Sequence, residues 1–318
     1  MEHAARTSRK VVVVGAGAVG ATFAYALSRE GIADEIVLTD VNEELAKGQI
    51  LDLSHGLPFI PPARLRAGGT DEYADATLIV ITAGASQKPG ESRLDLLTKN
   101  AGIIRSIMDD VVSSGSRAAV VVVTNPVDVL TQIAIEQSGW DDGRVFGSGT
   151  VLDSARFRFL ISECADVNVS NVHAYILGEH GDSEVAAWSI SNVAGVPVND
   201  FCPQCGRCRS WQRQRDDILQ QVRDSAYHII DYKGATYFAV GLALVRITNA
   251  VLRDGHAALT VSTRLSGQYG LTEVCLSVPC VVGAGGIERI VEAPLSEDEM
   301  AGLRHSSEIL QEQRRQLG

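Results

Sequence analysis

A chain of 318 residues, 45% apolar and 5% aromatic, is long enough to bury a sizeable core and to form two lobes of an ordinary soluble globular protein. Its 28 Lys and Arg against 39 Asp and Glu leave a formal net charge of −11, which argues against a nucleic-acid or anionic-membrane partner. Any anionic ligand must then be met by local cations. Six cysteines without the spacing of a disulfide framework point to reduced thiols and a cytoplasmic location.

The first residues imitate an export signal, because Arg6, Arg9 and Lys10 precede an uncharged stretch from Val11 to Leu27. That stretch is short for a membrane span and carries a phosphate-binding glycine pattern, so the export reading is set aside. Val11 to Val14 is instead a β-branched run suited to a strand buried on both faces of a parallel sheet. It ends in Gly15-Ala16-Gly17-Ala18-Val19-Gly20 and passes into a helical stretch from Ala21 to Glu30. Gly15 permits the tight turn, Gly17 lets a pyrophosphate touch backbone, and Gly20 lets helix and strand pack closely. A second strand, Glu35 to Thr39, ends at Asp40, where a carboxylate would accept hydrogen bonds from an adenosine ribose and repel a 2′-phosphate. NAD is therefore expected rather than NADP.

Apolar strands at Leu78 to Thr82 and Ala119 to Thr124 alternate with helical stretches at Glu43 to Ser54 and Leu94 to Ser113. The alternation predicts an α/β fold whose N-terminal domain, residues 1–149, is a doubly wound parallel sheet of Rossmann type. Ligands of such sheets bind at the carboxyl ends of the strands, so the loops after Thr82 and Thr124 are expected to carry chemistry. The first of these runs from Ala83 to Arg93 and is polar, bounded by Gly and Pro; the second opens with Asn125, whose amide can serve a substrate or a nicotinamide. Asp128, in the same loop, reads equally as a helix-start residue.

From Gly147 the pattern changes to a mixed α+β substrate domain, residues 150–318. Asp153 and Arg156 lie three residues apart and share one face of a helix running to about Ala165. Arg158 lies about 200° round that helix from Arg156, so the two arginines serve different sites. The run Val172 to Leu177 reads as one strand delivering Gly178-Glu179-His180-Gly181-Asp182-Ser183, in which an imidazole between two glycines suits a proton donor. Further helices are expected at Asp216 to Ile230 and Phe238 to Arg253, strands at Ala258 to Ser262 and Val274 to Val282, and a Ser296–Glu299 capping box opening a C-terminal helix. Cys202, Cys205 and Cys208, lacking a fourth donor, form an incomplete tetrahedral set and read as a reduced surface loop rather than a metal site.

With these residues in hand, the chain resembles the bacterial L-lactate dehydrogenases within the lactate and malate dehydrogenase superfamily. The resemblance runs from Lys10 to about Gly286 and is most specific at Gln87 to Leu94, Gly147 to Arg158 and Leu177 to Ser183. It implies a homotetramer that reduces pyruvate to L-lactate with NADH. His180 is then the proton donor, Asp153 its orienting partner, Arg156 the bidentate grip on the substrate carboxylate, and Arg93 a loop cation that polarises the ketone. Gln87, Asn125 and Thr236 match substrate-pocket positions. Val19, Asp40, Gly84, Ala85, Ser106, Val123 and Thr150 match cofactor contacts. Arg158 and His173 match the residues with which allosteric relatives hold fructose 1,6-bisphosphate on a two-fold axis, and Tyr227 matches a tyrosine phosphorylated in some relatives. Leu45 stands where many relatives carry a lysine near the ribose. Two rivals stand beside this reading: a malate dehydrogenase, which would place a cation at position 87, and a non-catalytic NAD-binding protein, which would have no use for His180, Asp153, Arg156 and Arg93 together.

Overall fold

Parallel pairing of buried, β-branched strands builds the first of two compact units. The computed structural model describes residues 9–86, 90, 92–140, 143–204 and 210–317. The first unit extends to residue 148 and also takes in 237–257 and 281–289; the second comprises 149–236, 258–280 and the chain from 290. The first unit contains β1 (Lys10–Val14), α1 (Ala18–Glu30), β2 (Glu35–Thr39), α2 (Glu43–His55), β3 (Arg64–Ala67), β4 (Leu78–Ile81), α3 (Arg93–Ser113), β5 (Ala119–Val122), α4 (Val127–Ser138) and β6 (Val145–Gly147).

These six strands pair in parallel in the order β3-β2-β1-β4-β5-β6. The expected doubly wound sheet is present, and its order reverses between β1 and β4, which leaves a crevice at the carboxyl ends of those two strands. Val11, Val12 and Val13 are fully buried, as a two-faced sheet requires. At the end of β1 the backbone of Gly15 has φ 108°, and a Cβ there would lie 2.6 Å from the Ala83 nitrogen. A Cβ on Gly20 would run into the Gly15 carbonyl oxygen, so that glycine is fixed by helix–strand packing. Helix α1 starts at Ala18, one turn earlier than the apolar pattern suggested, with Gly20 inside it.

The second unit opens with α5 (Val151–Ala165), then β7 (Val172–His173), β8 (Ile176–Leu177), β9 (Val185–Ala186), β10 (Asn192–Val193), β11 (Val196–Pro197), α6 (Val198–Gln204) and α7 (Trp211–Lys233). The chain then supplies α8 (Phe238–Leu252), β12 (Ala257–Ser266), β13 (Thr272–Gly283), β14 (Gly286–Ile290) and α9 (Glu297–Arg315). Helix α8 and the 281–289 stretch belong to the first unit, where Gly241 of α8 lets the helix close on Thr22 and Phe23 of α1. The C-terminal half of the sequence therefore serves both units.

Two expectations are corrected here. Val172 to Leu177 is not one strand: β7 pairs with β10, whereas β8 pairs with β9, so the run changes partners at Ala174 and Tyr175. Cys202 is not on a surface loop; it lies within α6, fully buried in the apolar cluster of Phe157, Ile161, Val198, Ile218 and Val222. Cys205 and Cys208 fall outside the described residues. The Ser296–Glu299 capping box forms as expected, with Glu299 N donating to Ser296 Oγ at 3.3 Å and Ser296 N to Glu299 Oε2 at 2.9 Å. Among the described residues no helix is long and apolar enough to cross a membrane.

One polar network ties β1, β2 and β3 together. Lys10, almost fully buried in β1, donates to Glu72 at 2.8 Å and to Asp75, and Arg66 of β3 grips both Glu72 oxygens while donating to Glu35 at 2.5 Å. Hydrogen bonding from Arg66, outweighing the upward effect of burial and helped by Lys10, holds the Glu72 carboxyl down at about 2. A carboxylate depressed in this way stabilises the fold above its unfolded value of about 4.3 and loses that contribution as the pH falls toward 2. Glu72→Gln should therefore cost about 3 kcal/mol at pH 7, because Lys10 and Arg66 lose the carboxylate they share and keep only Asp75 and Glu35. Denaturant midpoints should show the gap to the wild type narrowing from pH 5 to pH 2.5, and a gap independent of pH would contradict this account.

Candidate active site

The inward face of α5 brings a carboxylate into the second unit's core. Asp153, Ser154, Phe157, Ile161, Ser162 and Ala165 are the buried residues of this helix. Phe157 is fully buried and meets the Trp188 ring edge-on at 4.6 Å, and Trp188 in turn meets Trp211 at 5.6 Å. Asp153 lies four residues, about one turn, before Phe157 and shares its buried face. The same helix fixes the strand that leads to the candidate proton donor. Thr150 Oγ1 donates to the Ile176 carbonyl at 2.5 Å, and the Ile176 N–H donates to Ser154 Oγ at 2.9 Å.

From Ile176 the chain continues through Gly178 into the loop 178–184. Gly178 is bridged to Ser277 by two backbone hydrogen bonds of 2.9 Å, and its φ of 89° is one that a side chain would strain. The far side of the loop is held by α9. Ser306 Oγ accepts from Glu179 N at 3.2 Å, donates to the Ser183 carbonyl at 2.6 Å and meets Ser183 Oγ at 2.9 Å. His180 is thus bracketed on both sides by one buried hydroxyl. Glu179 closes the loop on itself, accepting from the N–H and hydroxyl of Ser183 and from Gln313 Nε2.

The result is a compact cluster. His180 Nδ1 lies 2.5 Å from Asp153 Oδ2, and Arg156 Nη1 donates to Asp153 Oδ1 at 2.8 Å. Asp153 is 2% exposed. Burial acts to raise its carboxyl, but the charge and hydrogen bonds of His180, followed by those of Arg156, outweigh it and hold the group below its ordinary value. A buried ionised carboxylate on Nδ1 fixes the imidazole tautomer and favours its protonated form, leaving Nε2 as the edge that exchanges a proton. Arg156 remains partly exposed, with only Nη1 committed to Asp153.

In the first unit, the residues at the switch point fit a dinucleotide. A Cβ at Gly17 would meet nothing within 4 Å and no side chain caps the α1 N-terminus, which leaves room for an anion beside that glycine. Asp40 Oδ2 accepts from Ala16 N at 2.7 Å and Oδ1 from Asn42 N at 2.8 Å, which fixes the carboxylate while leaving lone pairs for ribose hydroxyls. Leu45, in the first turns of α2, is 40% exposed and adds no charge there. Asn100, buried in α3, accepts from Ala85 N at 2.8 Å and donates to the Asn125 carbonyl at 3.1 Å, so it joins the two loops that follow β4 and β5. Gly84, Ser106 and Asn125 are exposed, and Val19 and Val123 partly so. Asp128 lies buried in the first turn of α4, the helix-start alternative.

The remaining expected residues are placed as follows. Arg93 is the exposed first residue of α3, capped by Ser92, and Thr236 is partly exposed in the second unit. Gln87 falls outside the described residues. Arg158 leaves α5 on another side than Arg156, with Nε donating to the Val172 carbonyl at 2.8 Å, beside an exposed His173. Tyr227 is half exposed and donates to Asp182 Oδ1 at 2.9 Å. Sequence reasoning missed Ser306 and Asn100. Asn100, a polar residue on the apolar face of a helix, left a faint trace, whereas Ser306 in a polar helix left none.

A dinucleotide cradle in one unit and a braced imidazole in the other are the equipment of an NAD-dependent oxidoreductase, and comparison with known proteins narrows that class. Residues 9–147 match the lactate/malate dehydrogenase NAD binding domain, and residues 150–317 match the lactate/malate dehydrogenase alpha/beta C-terminal domain. The chain belongs to the lactate/malate dehydrogenase family. It is 55% identical over 305 residues to an L-lactate dehydrogenase of Treponema denticola, covering 96% of each chain. It is 48% identical to the L-lactate dehydrogenase of Acetivibrio thermocellus, again covering 96% of each. Among solved structures, the minor L-lactate dehydrogenase from Enterococcus mundtii in its ligands-bound form is similar with a TM-score of 0.95 and 41% identity, covering 98% of this chain and 99% of that one.

Because Ser306 holds both flanks of His180, Ser306→Ala should displace the imidazole while leaving the dinucleotide cradle untouched. NADH-linked turnover is expected to fall by roughly tenfold or more, as misplacement by a fraction of an ångström does elsewhere, with NADH binding measured by fluorescence unchanged. Full turnover in this variant would remove the anchoring role.

Proposed function

We propose that this chain is an L-lactate dehydrogenase, catalysing the reversible reduction of pyruvate to L-lactate with NADH at the end of glycolysis. The observation that carries the reading is the buried Asp153 shared by His180 and Arg156, in a chain 55% identical to a curated L-lactate dehydrogenase. NADH, when bound, supplies the hydride that reduces C2 of the ketone. His180 gives its Nε2 proton to the developing alkoxide, and Asp153 stabilises the imidazolium until that transfer. Arg156, anchored by one prong to Asp153, offers its remaining N–H edge to the substrate carboxylate, a geometry that guanidinium groups make bidentate. Arg93 adds positive charge where the ketone oxygen gathers electron density. Asn125 and Thr236 match substrate-pocket positions of the family, and Gly15, Gly17, Val19, Gly20, Asp40, Gly84, Ala85, Ser106, Val123 and Thr150 match its cofactor-contact positions.

Neutral Gln87 favours a monoanionic over a dianionic 2-keto acid, because a second substrate carboxylate would be desolvated without a partner. This separates the reading from a malate dehydrogenase. Following NADH absorbance with pyruvate and with oxaloacetate tests it: pyruvate should be the faster substrate, and His180→Asn should lower its turnover by roughly a hundredfold or more with NADH binding retained. Faster reduction of oxaloacetate would favour the malate reading, and turnover unaffected by His180→Asn would remove the assigned proton donor.

Regulation by fructose 1,6-bisphosphate belongs to the same proposal, together with a cytoplasmic homotetramer. The supporting observation is that Arg158 reaches the carbonyl of Val172, the residue before exposed His173, so two nitrogen-bearing side chains sit at one surface of the second unit. Paired across a two-fold axis, two Arg and two His would counter the background charge of −11 around a bisphosphate. Initial rates at low pyruvate should rise with the bisphosphate, more at pH 6 than at pH 8 because imidazoles gain charge in that range. Arg158→Gln should abolish the rise. Equal activation in that variant, or none in the wild type at either pH, would overturn this part.

A further inference from the structure

One buried acid next to the proposed catalytic pair is used by none of the chemistry above. Glu184 ends the loop that carries His180 and is 3% exposed. Its backbone is fixed: Glu184 N donates to the Gly181 carbonyl at 3.3 Å, and Arg223 Nη2 of α7 donates to the Glu184 carbonyl at 2.7 Å. Ser183, tied to Ser306, precedes it and β9 follows it directly, so both of its chain neighbours are fixed. Among the described residues, neither Glu184 Oε1 nor the buried Arg223 Nε has a hydrogen-bond partner. A carboxyl held in this way cannot be explained as a surface residue that happens to be covered.

The charges that act on Glu184 come from three directions. Asp153 and Arg156 stand on α5, His180 on its own loop and Arg223 on α7. Also on this loop and its neighbours are Asp182, bonded to Tyr227 of α7, and Glu179, bonded to Ser183 and to Gln313 of α9. With Glu184 neutral, the inner cluster holds one anion, Asp153, against Arg156, Arg223 and a protonated His180. Ionisation of Glu184 adds a second anion to a cation-rich group and thereby stabilises the charge on His180.

We propose that Glu184 is a positioning residue for proton transfer: its carboxyl titrates together with His180, and its ionised form keeps the imidazole protonated as the solution becomes alkaline. This inference rests on the dehydrogenase reading and assigns a second acid to the same site. Burial, with Asp153 adding to it, pushes the Glu184 carboxyl up to about 8, against the opposing pull of His180, Arg223 and Arg156. On this proposal, one proton leaves the two groups near that pH. When Glu184 releases it, His180 remains the acid that the reaction needs, so the pair behaves as one unit with two apparent titrations.

The experiment is the pH profile of kcat/KM for pyruvate in the wild type and in Glu184→Gln, an isosteric neutral variant. Without the acid, His180 is the only member of the pair left to lose a proton, so the alkaline limb should move down by roughly one pH unit. A generalised loss of structure changes the height of the profile and not the midpoint of that limb. An unshifted limb in a folded, active variant overturns the role of Glu184 while leaving the dehydrogenase reading intact. Absence of pyruvate reduction in the wild type overturns the latter instead. Should Glu184→Gln fail to fold, carbon-13 NMR of glutamate-labelled wild-type enzyme decides. A Glu184 carboxyl ionising above about pH 7 supports the proposal, and one ionising below that pH removes it.

Discussion

A single buried carboxylate sets the terms for the second unit. An unpaired Asp153 in that position would be strongly disfavoured, and it is tolerated because an imidazole and a guanidinium each take one of its oxygens. The demand runs both ways. The carboxylate needs its cations to remain charged where it is, and the cations gain a fixed orientation from it. One turn along the same face of α5, the edge-on contact of Phe157 with Trp188 packs the helix against its surroundings. The geometry of the cluster and the packing of the core are here the same contacts seen from two sides.

Much of this was legible in the residues themselves. The central strands of the parallel sheet announced their burial through unbroken β-branched and leucine runs, and Gly15, Gly17 and Gly20 gained meaning from Asp40 at the end of the second strand. The helical arithmetic separating Arg156 from Arg158 agrees with their different partners, Asp153 and the Val172 carbonyl. Local periodicity failed where partners are chosen by distant segments. The change of sheet between His173 and Ile176 depends on β9 and β10, and no feature of a six-residue apolar run reveals which neighbour each half will meet. Cys202 was misplaced for a related reason: its surroundings in sequence are polar, while its surroundings in space are Ile218 and Val222 of another helix.

The residues that sequence overlooked share a property. Ser306 and Asn100 each act through one hydroxyl or amide that satisfies two backbone groups at once, so their role depends on coordinates and not on pattern. Buried polar groups of this kind are costly when left unsatisfied and rigidifying when satisfied, which makes them effective fixings for a loop that must present one side chain accurately. They also show how a glycine-flanked loop, intrinsically free, becomes a defined platform.

The bond between Glu179 and Ser306 closes a span of 127 positions. During synthesis, the loop bearing His180 emerges long before the helix that pins it, so a ribosome-bound chain can already possess its dinucleotide-binding sheet while its imidazole is still unanchored. The placement of that loop therefore waits until α9 has been made and has docked, whatever the state of the sheet.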